Sequence, residues 1–239
     1  MNATAASPDA GQSSSPDQEE QQRIAQVLTA EYGLLAGMLS AVWSASLVRT
    51  SLFLAVISAL AVSLGLAAQA SGGFNDTFTV FALVALPLTL FLGLATFART
   101  VEIQREAIVY ITGMNRIRHF MTQSVPASRP YIVLSTHDDD LGVYRSQGTG
   151  MRFGPPRYRL VFALVQTQGI VAVMCSAIAA VLGGLAGARI QPALAWPLGA
   201  VAFVVTLVAL LAYWNQSIRQ LQAAIRPMSP TPPDAEPRI

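Results

Sequence analysis

Four long stretches of this chain contain no Asp, Glu, Lys, Arg or His, and each runs to about 19 residues or more, the length a helix needs to cross the hydrocarbon core of a bilayer. Only 12% of the 239 residues are charged and 53% are hydrophobic, whereas a soluble domain carries about a quarter charged residues. So few charges cannot cover a water-facing surface, and a membrane is the natural solvent. The spans read as Ser51–Ala70, Phe78–Ala98, Leu160–Ala188 and Pro192–Trp214. The short polar turn Ser71–Thr77 folds the first two back on one another. Pro87 lies inside the second span, where membrane helices tolerate it.

The segments between the spans divide the rest of the chain. Residues 1–22, rich in Ala, Ser, Pro, Asp, Gln and Glu, have neither the basic nor the apolar region of a signal peptide and are expected to be disordered. Over residues 23–50, Ile24, Val27, Leu28, Tyr32, Leu35, Met38, Leu39 and Val42 recur at three- and four-residue spacing and predict an amphipathic helix. Residues 51–98 form a transmembrane hairpin. In 99–159 the helical pattern of the second span continues on Ile103, Ala107, Tyr110, Met114, Ile117 and Met121 as far as Pro126, and a loop with at most local structure follows. Residues 160–214 form a second hairpin, and 215–239 a helical tail that becomes disordered after Pro227. The expected fold is an all-α membrane protein with four transmembrane helices as two antiparallel hairpins, an N-terminal amphipathic helix and a cytosolic extension of the second span.

All fifteen basic residues are Arg, a bias that a GC-rich coding sequence produces and that points to a high-GC bacterium. Nine of them fall between the second and third spans, and the turn Ser71–Thr77 has none. Positive charge stays on the cytoplasmic side, so both termini and the central segment are expected in the cytoplasm of a plasma membrane. The net charge of +2 gives no ground for nucleic-acid binding. The lone Cys175 permits no internal disulfide and reads as a small buried apolar side chain.

Within the spans the absence of ionisable groups argues against a proton or ion pathway, because such groups are costly in lipid and mark those pathways. Gln166, Thr167 and Gln168 form a polar cluster at the start of the third span. It reads as helix packing, with Gln166 and Gln168 as pore-lining candidates in the alternative. Small residues recur every four positions in the first span (Ser51, Ala55, Ala59, Ser63, Ala67). In the third, Ser176, Ala180 and Gly184 form a stripe with Gly183 and Gly187 beside it. Both stripes read as intramolecular packing.

In the central segment, His137, Asp138, Asp139 and Asp140 carry hard donor atoms suited to a divalent cation. Three consecutive carboxylates cannot all face one ion in regular structure, so a solvated turn that caps a short helix over Leu141–Tyr144 is the stronger reading. Arg116, Arg118 and His119 in GMNRIRH, with Arg152, Arg157 and Arg159 before the third span, read either as topology determinants touching anionic headgroups or as a surface for an acidic partner or anionic ligand. GTGMRFGPPR lacks the spacing of a phosphate-binding loop. There is no GxSxG or HExxH motif, and no enzyme activity or cofactor is expected.

GMNRIRH and RSQGTGM resemble segments of multi-pass membrane proteins of high-GC bacteria. The resemblance implies membrane insertion and brings no activity, cofactor or catalytic residue with it. The expected function is that of a membrane scaffold or interaction protein with an Arg-rich cytosolic surface, recruiting a cytosolic partner or a second copy. The alternative is a homo-oligomeric pore or small-solute transporter.

Overall fold

The computed structural model describes residues 16–73, 75–147 and 163–232. It is all-helical among those residues, and four helices are long and apolar enough to cross a membrane. They are α1 (Pro16–Ala70), α2 (Asp76–Ser124), α4 (Thr167–Ile190) and α5 (Ala195–Ala224); a short α3 (Asp140–Ser146) lies between the second and third.

The first helix differs from expectation in its extent. It is a single rod of 55 residues, about 82 Å long at 1.5 Å per residue, with no break between the arm and the span. Nothing near Arg49–Ser51 can stop a helix, and the Ser51 hydroxyl bonds back to the Val48 carbonyl at 2.9 Å, which keeps it inside the helical ladder. Pro16 is the first helical residue, a position where its missing N–H costs nothing. Residues 16–22, expected to belong to a disordered tail, are therefore helical, and Glu19 approaches Arg23 at 3.8 Å. The rest of that tail, like residues 233–239, lies outside the described residues.

The rod ends because the chain turns left-handed. Gly72 has φ +74, and the N–H groups of Gly73 and Gly72 return to the carbonyls of Ala68 and Gln69 at 2.8 and 3.2 Å. This is the paired arrangement that closes helices at a glycine. Asn75 then caps α2 by accepting from the Phe78 N–H at 3.1 Å. Pro87 sits within α2, which continues unbroken to Ser124.

α2 and α4 occupy the middle of the bundle, while α1 packs mainly on α2 and α5 mainly on α4. The core between them holds Phe53, Phe78, Leu86, Phe97, Val171 and Cys175. Gly93 of α2 is where three helices meet: a methyl group there would lie 2.6 Å from both the Cys175 sulfur and the Phe53 ring. On the α4–α5 face, Gly199 lets the two backbones approach so closely that a Cβ would stand 2.9 Å from the Ala180 carbonyl. The stripe in the third span thus serves intramolecular packing, as expected. The stripe in the first span does not, because Ser51, Ala55, Ala59 and Ser63 are exposed and only Ala67 packs against the core. α2 meets α1 on a different face, through Phe53 and Ile57.

The third span is interrupted near its start: residues 163–165 are helical, and Leu160 lies outside the described residues. Gln166 is extended (φ −65, ψ 158) and α4 begins at Thr167. Residues 163–164 fold over the first turn, where the Ala163 carbonyl occupies the space a side chain at Gly169 would need.

A second apolar core lies beyond the spans. Leu39 of the α1 arm, Ala107, Ile108, Ile111 and Met114 of α2, Val143 of α3 and Ile218 of α5 bury one another, with Tyr32, Trp214 and Leu221 packed at its edge. The Trp214 indole donates to the Gln104 side chain at 2.7 Å, which ties the end of α5 to α2. The parts of three long helices that lie beyond their apolar stretches therefore form a folded head.

Candidate functional site: a buried polar clasp at the end of the second helix

The distal end of α2 carries GMNRIRH, and helical spacing sends its residues in different directions. Asn115, Arg118 and Thr122 lie at three- and four-residue intervals on one stripe, and all three are buried. Asn115 is fully enclosed. Its amide donates to the His137 carbonyl at 2.7 Å, and its oxygen accepts from the Ser146 hydroxyl at 2.8 Å and from Arg118. One side chain thus joins α2, the loop and α3.

Arg118 is 6% exposed, so it lies inside the head and not on an Arg-rich surface. Its guanidinium donates to the Tyr32 hydroxyl at 2.8 and 3.2 Å, to Asn115 and to the Ser135 carbonyl at 3.4 Å. Its centre also lies 5.3 Å from the Tyr32 ring centroid. Among the described residues no carboxylate pairs with it. A buried cation is tolerable here because several oriented acceptors replace its water.

Arg116 points to another side of α2. Its Nε meets Asp138 at 2.7 Å and its terminal nitrogen donates to the Arg226 carbonyl at 2.9 Å. His119 sits beside Gln123 at 2.8 Å, and its ring centroid is 6.2 Å from that of His137. Arg152, Arg157 and Arg159 lie outside the described residues. Of the proposed basic surface, Arg116 and Arg118 are therefore both committed to internal contacts.

The acidic run is engaged as well. The Asp138 carboxylate is fully buried and accepts from the N–H of Met228 at 2.8 Å, the N–H of Ser229 at 2.7 Å, the Ser229 hydroxyl at 3.1 Å and Arg116. Burial pushes its pKa up. The Met228 N–H, the Arg116 guanidinium and the two Ser229 donors outweigh that and hold it down at about 2. Asp139 caps α3 through the Gly142 N–H at 2.9 Å, and it also takes the N–H and hydroxyl of Thr231 at 3.0 and 2.8 Å. Asp140 lies in the first turn of α3. Among the described residues, no three His, Cys, Asp or Glu side chains come together as a metal site.

The segment Met228–Thr231, expected to be disordered beyond Pro227, is thus strapped to the head. Two consecutive carboxylates each hold one hydroxyl residue of Ser-Pro-Thr, and the Asp138 N–H adds a backbone bond to the Ser229 carbonyl at 3.3 Å. Tyr32, Asn115, Ser229 and Thr231 escaped sequence reasoning. The signal in the sequence was the coincidence of an acidic run with a hydroxyl-bearing tail, and it names no pairing by itself.

In the spans, Gln168 is buried and its amide donates to the Thr100 carbonyl at 3.2 Å, so it joins α4 to α2. Gln166 precedes α4 as its cap residue. This class of site is a polar clasp that ties α1, α2, α3 and the tail together through hydrogen bonds. No protein-family model, curated protein or solved structure matches the chain.

Proposed function

We propose that this chain is a non-enzymatic scaffold of the bacterial plasma membrane that holds a folded cytoplasmic head and presents the tip of α2 to a protein partner. In this reading the four spans are two antiparallel hairpins with both termini in the cytoplasm, and the amphipathic arm of α1 belongs to the head. The distribution of Arg supports that orientation. So does the contact between Arg189 and Asp76 at 2.9 Å, which brings the two turns to the same end of the bundle.

The observation that carries the partner reading is the tip itself. Tyr131 is 85% exposed and Val133 95% exposed, with exposed Val125 and Arg129 close by in sequence. Large apolar side chains held in water mark interaction sites. The tip is also anchored on both flanks. A 3-10 turn over Pro126–Tyr131 follows α2 directly, and Asn115 and Arg118 hold the carbonyls of His137 and Ser135. A pre-ordered loop loses little entropy on binding.

A photo-crosslinker placed at Val133 in living cells is expected to capture a protein partner, whereas one at exposed Val109 on the side of α2 is not. Capture at Val133 should disappear with Tyr131→Asp. Equal capture at the two positions, or none at Val133, would sink the reading.

A further inference from the structure

The extramembrane arm of α1 has two apolar faces, and among the described residues only one has a partner. Tyr32, Leu35, Leu39 and Val42 pack against the head. One residue back along the chain, and so about 100° around the helix, Ile24, Val27, Leu34, Met38, Ala41 and Val48 form a second row. All six are exposed, with Val27 at 67% and Leu34 at 58%.

The spacing of this row is specific. From Ile24 it advances by three and four residues in strict alternation through 27, 31, 34, 38, 41, 45 and 48. That is the 3.5-residue period of a two-stranded coiled coil and not the period of a straight helix. The one charged member is Glu31. Most other exposed positions of the arm are polar or small, Gln21, Gln22, Gln26, Thr29, Gly33 and Ser40 among them; Trp43 and Leu47, next to the span, are the large apolar exceptions.

We infer that this row is a homodimer seam, through which the α1 arms of two copies wind around each other in parallel. Three features select a second copy as the occupant. Copies inserted in one membrane enter it in the same sense, so their arms run parallel and each residue meets its own equivalent across a two-fold axis, which closes the assembly. Among the described residues α1 stands at the edge of the bundle, packed mainly on α2, so a second copy can approach its outer face. Finally, the row runs into the span without losing phase, through exposed Leu52, Ala55, Ala59 and Val62. The small-residue face that the fold leaves uncovered in lipid thus continues the seam outside it, and small residues allow close helix approach there. Contacts in the bilayer and in the arm then reinforce each other by raising the local concentration of partners.

Glu31 sits in the middle of this seam and faces the partner's Glu31. A polar residue at such a position fixes register at a cost in affinity, so the association is tuned below its maximum.

The test uses the full chain in its own membranes. Single cysteines replace Val27 and Leu34 on the seam, or Gln26 and Ser40 off it; Cys175, buried in the core, stays in every version. Mild oxidation is expected to link the seam variants into dimers and to leave the off-seam variants monomeric. For differently labelled copies in proteoliposomes, Glu31→Leu should tighten association by about tenfold, and the pair Leu34→Arg with Met38→Arg should abolish it. No dimer at any position, equal yields on and off the seam, or association unmoved by Glu31→Leu and by the double substitution would each overturn the inference. Because all these side chains are exposed, the head should fold in every variant, which the fluorescence of Trp214 reports independently in chains that also carry Trp43→Phe and Trp196→Phe.

Discussion

Ser229 binds one carboxylate oxygen of Asp138 twice, through its backbone N–H at 2.7 Å and its hydroxyl at 3.1 Å, across 91 residues of sequence. A long-range contact of this kind fixes the end of the chain against α3 and α2. Asp139 holds Thr231 two residues further on, so two neighbouring carboxylates share the strap and Asp138 governs its Met228–Ser229 part.

Replacing Asp138 by Asn keeps the shape and removes the charge that Arg116 and three tail donors share. The variant is expected to lose about 2–3 kcal/mol, toward the low end for breaking a buried pair because Arg116 is partly exposed. Hydrogen exchange at Met228 and Ser229 should rise more than tenfold, while exchange within α2 stays unchanged. Unaltered protection of those two amides would show that the tail is held by something else.

Acid should release the strap in a defined range. The Asp138 pKa is depressed to about 2 from 3.8, so its stabilising contribution is fully present above about pH 4 and is lost as pH falls through 2. The linkage is worth about 2 kcal/mol. A spin label on Met228→Cys, whose side chain is exposed while its N–H binds Asp138, should report an immobilised tail at pH 5 and an increasingly mobile one between pH 4 and 2. In Asp138→Asn the label should already be more mobile at pH 5.

Tyr32→Phe leaves the ring on the apolar core but removes the hydroxyl that accepts from Arg118 twice. A buried guanidinium stripped of an acceptor costs about 1–3 kcal/mol, which should appear as a lowered midpoint of thermal unfolding in detergent. In a double-mutant cycle with Arg118→Met the two losses should overlap by more than about 0.5 kcal/mol, as expected for groups in contact. Strict additivity would deny the interaction.

Gly93→Ala places a methyl group within 2.6 Å of both Phe53 and Cys175. Overpacking of that sort costs about 1–3 kcal/mol. Shortening the ring with Phe53→Leu in the same chain should recover part of the loss. Gly65→Ala, which meets open space, is the matched control and should be neutral or slightly stabilising because Ala is the better helix former.

Much of the fold was legible because lipid imposes a coarse code. A run such as Ser51–Ala70 has to be a helix: its backbone can satisfy its own hydrogen bonds in no other single-segment form. Apolar spacing over Ile103–Met121 likewise told that α2 continues past its span. Helix ends were less legible. Nothing in the composition near Leu160 signals the break at Gln166, since it depends on residues 163–164 folding over Gly169. The candidate site was half visible. Arg116, Arg118 and the acidic run stood out by their chemistry, but which of them is buried depends on partners far away in sequence.

The sequence by itself determined an all-helical chain with four spans, because burying apolar side chains and satisfying the backbone in a bilayer are local requirements that each segment meets alone. Only the tertiary structure decided that Arg118 lies under Tyr32, that Asp138 holds the tail, and that one face of the α1 arm stays uncovered among the described residues. Those outcomes follow from which surfaces meet when helices pack, and a buried charge or a free apolar row is defined by its neighbours and not by its own residue type.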